Sequence, residues 1–454
     1  MLLTTVTQSF QSCALRLVKD TLRRISAPVK LIDNVSEEEK ILYDDSEIAD
    51  SEKAIVRVKD VNFWKRAFLD FDLGFAESYM FQEIECDQLN KIFDLYIQNS
   101  ATFDSGSSPF HLIVRLAQWW RPKNSIENAR SNIASHYDTS NGLFTNFLSP
   151  DLNYSCAHFT RDVTEPLQTA QRRKVHYMIK KARLQSTHHL LDIGCGWGDL
   201  IIEAARLTGC KATGITLSEE QKSLADERIR DAGLQDRIRV LLCDYRNAPR
   251  PESGFYDRVI SIGMFEHVGA EYMDQYFEVI SQLLSPRDGV LVIDGITKIQ
   301  PVLYSPLEAC MKNEISEAWQ FHETNPRMGD YIDRYVFPGG YLPTPNILFE
   351  SLHRGSKGSL EVSSVLNSGP HYGKTLLGWR DNLLANWEDI RSDFCGRHPE
   401  ASTKEVEAYR RRWLYYFEYC EAGFRNRILG NYTICAVRAP EPVVGYEGLD
   451  IGDA

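Results

Sequence analysis

The sequence lacks any apolar run of the roughly 18 residues that a membrane-spanning helix needs. Its best short runs, such as Gly289-Val290-Leu291-Val292-Ile293, suit buried strands. A helical spanning protein is therefore excluded. No CxxC pair occurs among the ten cysteines, which lie scattered from Cys13 to Cys435. That spacing argues against zinc clusters, so no metal site is read, and against a disulfide-stapled secreted scaffold; a reduced intracellular setting fits better. Basic charge is also short. With 51 Lys and Arg against 63 Asp and Glu, the formal net charge is -12, which argues against affinity built on covering nucleic-acid phosphates, although a local basic patch is compatible with it. The acidic balance reads as a solubility feature. No internal repeat is visible, and no polybasic cluster announces a membrane surface.

The 454 residues suffice for two or three ordinary domains, and 43% hydrophobic with 25% charged content is that of a folded globular chain. Near the start, Gln8, Ser9, Gln11 and Ser12 interrupt any hydrophobic core of a secretory signal. Leu15, Val18, Leu22 and Ile25 recur at helical spacing and predict an amphipathic helix of the first domain, a mitochondrial presequence being the alternative reading. An acid-rich stretch over 36–53 reads as solvated. Apolar content returns with Phe63, Trp64, Phe68 and Phe71. Residues 99–109 are the most linker-like in the chain. The expected division is an N-terminal domain over 1–121 and a larger domain over 122–454.

From about residue 170 the signals alternate. Strands are predicted at 189–192, 211–215, 239–243, 257–261 and 289–293, and helices at 200–207, 218–232 and 272–284. Such alternation predicts an α/β fold, a Rossmann-like doubly wound parallel sheet with helices on both faces, beside a smaller, mainly helical N-terminal domain.

Asp192-Ile193-Gly194-Cys195-Gly196-Trp197-Gly198 joins the first predicted strand to its helix. Glycines there let the backbone turn sharply and approach a ligand, while the helix N-terminus offers unpaired N–H donors. The spacing is GxGxG, not the dinucleotide GxGxxG. The second strand ends in Thr216-Leu217-Ser218-Glu219-Glu220-Gln221, without the isolated ribose-binding acid of dehydrogenases. Together these features resemble S-adenosylmethionine-dependent methyltransferases, in which a carboxylate like Asp192 faces the methionine end of the cofactor.

Further segments narrow the resemblance. They are His136-Tyr137-Asp138, Asn153-Tyr154-Ser155-Cys156-Ala157-His158 and Gly263-Met264-Phe265-Glu266-His267-Val268-Gly269, followed by Tyr335-Val336-Phe337-Pro338-Gly339-Gly340, the stretch from His371-Tyr372 to Trp379, and a Tyr-rich stretch from Tyr415 to Arg425. As an ordered set they resemble the cyclopropane fatty-acyl-phospholipid synthase family, including the mycolic acid cyclopropane synthases. Phe63-Trp64-Lys65-Arg66 and Gly74 to Met80 extend the likeness to the N-terminal domain of its phospholipid-acting branch, so that it covers about residues 55 to 437.

The resemblance implies methyl or methylene transfer to the double bond of an unsaturated acyl chain. An alkene is a poor nucleophile, so the sulfonium methyl must be held close and in line. The resulting carbocation must be kept from water, and a base must then remove a proton. In the family that base is bicarbonate, and the residues carried over around it are Cys156, Glu266, the backbone of Ile296, Tyr372 and, in place of a histidine, Asp294. Cys420 matches a further cysteine near the family's active site. Cofactor contacts carried over are Tyr154, Ser155, Asp192, Gly194, Gly196, Gly198, Thr216, Leu217, Gln221, Tyr245 and Arg246, with Gln221 expected at the ribose and Tyr245 at the adenine. Asp294 is a departure, because a second carboxylate beside Glu266 weakens binding of an anion. Either Asp294 is itself protonated or acts as the base, its pKa raised by Glu266 and burial, or the reaction stops at methyl transfer with a methyl or methylene branch.

His267 and His371 adjoin site residues, but sequence neighbours on a turn or helix do not face each other. The long polar segment 301–331 reads as a lid or acceptor-specificity element. Expected partners are an unsaturated acyl lipid or another small-molecule acceptor, with peripheral membrane contact, a cytoplasmic location and a homodimer; no nucleic acid is expected. The competing readings are a small-molecule C- or N-methyltransferase with an alkaloid, polyketide or terpenoid acceptor, and a catalytically silent lipid-binding protein.

Overall fold

The computed structural model describes residues 12, 14–16, 18–24, 27–35, 40–44, 48–99, 140–162, 164–299, 331–337 and 339–439. The expected linker beyond Asn99, the boundary at 121, the His136-Tyr137-Asp138 motif and the segment 301–330 lie outside the described residues. The chain divides into two compact units, one of Met1–Ser149, Ile299–Leu342 and Pro370–Leu429, the other of Pro150–Lys298, Pro343–Gly369 and Gly430–Ala454. Their pieces alternate along the chain, a nonlocal partition that a linear scan of composition does not display.

The second unit is built on a seven-stranded sheet in the order β10-β11-β9-β8-β5-β6-β7. Its strands are β5 (His189–Ile193), β6 (Lys211–Thr216), β7 (Ile238–Leu242), β8 (Arg258–Ile262), β9 (Val290–Lys298), β10 (Leu360–Asn367) and β11 (Leu429–Arg438). Strands β5 to β9 pair in parallel. Leu190, Leu191, Ile193, Ile260, Val290 and Val292 are all buried, as expected where helices cover both faces and side chains cannot alternate with water. Strand β9 runs past the predicted 293 because buried polar and small residues, Asp294, Gly295 and Thr297, continue it. The antiparallel pair β10–β11 was not predicted. Strand β10 exposes most of its length, and β11 buries Asn431 and Thr433, so neither shows a clean apolar pattern.

Strand order reverses at β5, which lies between β6 and β8. In open α/β sheets this switch point is where ligands bind, beyond the carboxyl ends of the strands. The loop leaving β5 folds onto β6: Gly194 and Cys195 both donate backbone N–H groups to the Ile215 carbonyl, at 2.9 and 3.0 Å. A Cβ on Gly214 would lie 2.7 Å from Cys195 Sγ and 2.9 Å from its Cβ. A glycine in β6 is what lets the loop lie down there.

The first unit contains helices and a four-stranded sheet, β2-β1-β3-β4, that the sequence reading did not resolve. The strands are β1 (Val29–Asp33), β2 (Lys40–Asp44), β3 (Ala54–Val58) and β4 (Ile84–Cys86). Residues 14–16 and 18–24 are helical, and Leu15, Val18 and Leu22 pack against a core holding Leu31, Val56, Trp64 and Ile84. In helix α1 (Asn62–Met80), buried Glu77 is satisfied by Arg66 at 2.6 Å, Arg334 at 2.9 Å and the Tyr335 hydroxyl at 2.8 Å. Among the described residues, no helix is long and apolar enough to cross a membrane.

Replacing Gly214 by alanine is expected to cost about 1–3 kcal/mol through overpacking against Cys195. Urea unfolding of Gly214→Ala checks this; wild-type stability would contradict the close approach.

Candidate active site

Asp192, next to last in strand β5, is buried at 3% exposure. The loop that follows holds Gly194, Gly196 and Gly198 at φ of 80°, 52° and 83°, the left-handed region that glycine adopts without strain. A Cβ at Gly194 would come within 2.5 Å of Met264 Cγ, whereas at Gly196 it would meet nothing within 4 Å. Gly198 caps helix α2 (Asp199–Thr208), whose first N–H groups therefore face the loop. At the end of β6 the Thr216 hydroxyl donates to Gln221 Oε1 at 2.7 Å, and Ser218 caps the next helix by accepting from the Gln221 backbone at 3.2 Å. With its carbonyl so engaged, Gln221 offers its amide NH2 to a ligand. Leu217 is 71% exposed. Tyr245 is buried and meets Tyr276 edge-on at 5.2 Å, so it is not merely an exposed loop aromatic. Arg246 pairs with Asp244 at 2.7 Å.

Tyr154, Ser155 and Cys156 lie on a loop held by helix α3 (Leu167–Lys181). Gln171 Nε2 donates to the carbonyls of Asn153 and Ser155, at 3.3 and 2.8 Å. Lys174 Nζ donates to Asn153 Oδ1 at 3.0 Å and Ser155 Oγ at 2.9 Å. Sequence reasoning missed both residues. Their signal is positional: Ala170, Gln171, Lys174, Val175, Met178 and Ile179 form the buried face of the helix, and two of the six are polar where the pattern calls for apolar side chains.

A second group gathers around β9 and β11. The Cys156 thiol, 1% exposed, donates weakly to the Ser368 carbonyl at 3.5 Å. Asn431 Nδ2 reaches Ser368 Oγ at 2.9 Å and both oxygens of Asp294 at 3.1 and 3.0 Å. Thr433 donates to Asp294 Oδ2 at 2.6 Å. Glu266 Oε1 accepts the Ile296 backbone N–H at 2.7 Å, while its Oε2 is buried without a hydrogen-bond partner among the described residues. A Cβ on Gly295 would sit 2.6 Å from Glu266 Oε1, so glycine makes room for that carboxyl. His267 is exposed on the same turn that buries Glu266. Cys156, Glu266 and Asp294 thus all belong to the second unit. Tyr372 and Cys420 belong to the first. Tyr372, on helix α4 (Gly369–Ala385), is buried and stacks on Phe424 at 4.5 Å. Cys420, on helix α5 (Thr403–Arg425), is half-buried, and His371 is likewise half-buried.

Burial dominates the electrostatics. It pushes the Asp192 carboxyl up to about 7, against the pull of Lys174. It lifts Glu266 to about 7 as well; the Ile296 N–H opposes this and Asp294 adds to it. Asp294 is raised by burial and drawn back by Thr433, Asn431 and Lys174. Burial is the largest cause at Asp294, and like-charge repulsion between Glu266 and Asp294 disfavours ionising both. Buried carboxyls beside a glycine loop open at Gly196 suit a cationic ligand whose charge favours their ionised forms. S-adenosylmethionine meets that description, and the residues present fit it.

An acid whose folded pKa lies above its unfolded value destabilises the fold as it ionises. Asp192 therefore subtracts stability as pH rises from 3.8 to about 7. The melting temperature of Asp192→Asn minus that of the wild type, both unliganded, is expected to grow more positive across that interval and level off above it. A difference independent of pH would contradict the burial of this charge.

A family profile described as mycolic acid cyclopropane synthetase matches residues 124–434. The chain is 32% identical over 386 residues to the tuberculostearic acid methyltransferase UfaA1 of Mycobacterium tuberculosis, covering 82% of this chain and 80% of the relative. It is 30% identical over 395 residues to the cyclopropane-fatty-acyl-phospholipid synthase of Escherichia coli K12, covering 86% and 90%. Among solved structures, mycolic acid cyclopropane synthase CmaA1 complexed with SAH and CTAB superposes with a TM-score of 0.54 at 30% identity, over 68% of this chain and 98% of that one. With the α/β sheet, the glycine loop and the buried Glu266 in place, these likenesses lead to one conclusion: the chain belongs to the mycolic acid cyclopropane synthetase family.

Proposed function

We propose that the protein is an S-adenosylmethionine-dependent methyltransferase that moves one carbon onto the double bond of an unsaturated fatty acyl chain carried by a phospholipid. The observation that carries this reading is the pair of buried carboxyls, Glu266 and Asp294, in the unit that also holds Asp192 and the glycine loop. When bound, S-adenosylmethionine supplies an electrophilic methyl carbon on a positive sulfur. Asp192 answers its positive charge, the 194–198 loop lets the backbone approach it, and the Gln221 amide donates to its ribose. Tyr154, Ser155, Thr216, Leu217, Tyr245 and Arg246 complete the donor pocket.

Attack by an alkene leaves positive charge on the acyl chain, which water would quench. Buried carboxyls both stabilise that charge and accept the proton whose loss closes a ring or leaves a methylene branch. A carboxyl with raised proton affinity is a stronger base than an ordinary carboxylate. Asp294 takes this role, held in place by Asn431 and Thr433. The Ile296 N–H is spent on Glu266, and the side chains of Asn431 and Thr433 on Asp294, so a bicarbonate ion finds few donors here. Cys156, Tyr372 and Cys420 are carried over as the remaining site residues. An amine acceptor would need a single base; the second buried carboxyl favours a hydrocarbon. Because the acceptor lies in a bilayer, the enzyme works at the membrane surface.

Purified enzyme mixed with the donor and vesicles of unsaturated phospholipid is expected to release S-adenosylhomocysteine and to give acyl chains one CH2 heavier by mass spectrometry. Asp192→Ala and Glu266→Gln should each lose about 100-fold or more in rate. Unmodified lipid alongside methylation of a soluble amine would overturn the reading. Adding bicarbonate to carbonate-depleted enzyme should change the rate little; strong stimulation would remove Asp294 from the role of base.

A further inference from the structure

Lys174 lies on the buried face of helix α3 at 1% exposure. A buried ammonium costs several kcal/mol in lost hydration, and apolar side chains of similar volume commonly replace such groups without loss of stability. Packing alone does not call for a lysine at this position. Its environment shows what the charge does. Among the described residues, the acidic groups acting on it come from several elements: Asp294 on β9, Asp151 and Cys156 on the 150–156 loop, and Asp199 at the start of helix α2, with Asp192 on β5 feeling its charge in turn. Asp199 has other cations, Arg172 at 3.3 Å and Arg228 at 3.2 Å. Among the described residues, Lys174 is the cation that acts on both Asp192 and Asp294.

We propose that Lys174 is a positioning residue of the donor site, which pins the 153–156 loop through Asn153 and Ser155 and supplies the shared counter-charge of Asp192 and Asp294. The two functions are joined in one side chain. The hydrogen bonds place Tyr154, Ser155 and Cys156, while the ammonium draws Asp192 toward its carboxylate form, against the burial that raises it. Burial pushes the lysine down, and Asp294, Asp151 and Asp199 oppose that effect. Gln171, one turn earlier on the same face, fixes the loop by its carbonyls but brings no charge.

This inference rests on the reading that S-adenosylmethionine binds beside Asp192, and the two can fail separately. Lys174→Gln keeps donors for Asn153 and Ser155 and removes the charge; Lys174→Met removes both. Calorimetric titration with S-adenosylmethionine over a pH series is expected to show the midpoint of donor binding moved upward by roughly half a pH unit or more in Lys174→Gln. Affinity should be regained at high pH, and KM for the donor should rise more than kcat falls. A merely structural lysine would leave that midpoint in place, and a Lys174→Gln midpoint equal to that of the wild type overturns the proposal. If the wild type itself fails to bind the donor, the functional reading fails, yet the counter-charge is still testable in the unliganded protein. There the double variant Lys174→Met with Asp192→Asn should regain thermal stability lost in Lys174→Met alone. Strictly additive effects of the two substitutions would refute the coupling.

Discussion

Three carboxyls taken out of water dominate this molecule. Asp192, Glu266 and Asp294 are each at most 8% exposed, and dehydration raises the proton affinity of every one. Such a set is costly for a fold to keep, and the surroundings offset only part of the cost. Asn431 and Thr433 satisfy Asp294, the Ile296 backbone satisfies one oxygen of Glu266, and Lys174 acts on Asp192 and Asp294. Among the described residues, what remains unsatisfied, above all Glu266 Oε2, is a deficit of positive or proton-donating partners. A bound sulfonium and a transient positive charge on an acceptor chain would both meet that deficit.

The sheet explains how these groups come together. Asp192 lies at the carboxyl end of β5, one residue before its last, and Glu266 follows β8, the two strands that flank the reversal of strand order. Asp294 lies within β9, one strand further on, and its hydrogen-bond donors come from β11. Small residues clear the space: Gly214 admits the loop after β5, and Gly295 admits the carboxyl of Glu266. The site therefore depends on backbone proximity as much as on side-chain chemistry, because a single added methyl group at either glycine would enter occupied space.

The first unit has cores of its own. Phe147 meets Trp379, Trp413 and Phe417 at ring separations of 6.0, 5.7 and 5.3 Å, and Tyr372 joins that assembly through Trp379 and Phe424. The Tyr-rich stretch from Tyr415 is accordingly packing material, with Tyr415, Tyr416 and Phe417 all buried. Glu77 with Arg66, Arg334 and Tyr335 supplies a charge network inside the same unit.

Local chemistry was legible wherever a function depends on residues close in the chain. The strand–glycine–helix turn after Asp192, the helix that begins near Ser218 and the strands from β5 to β8 follow from spacing and side-chain type, since turns and buried strands are short-range events. Strands β10 and β11 were not legible, because their polar residues are explained only by the neighbours they face: Asn431 and Thr433 look like surface residues until Asp294 is placed beside them. Lys174 and Gln171 were hidden for the same reason. Motif and order along the chain determined the family and the donor-binding loop. Tertiary structure decided which carboxyls are dry, which cation and which donors attend them, and which glycines have no room for a side chain, because burial and electrostatic pairing are set by residues that meet only after folding.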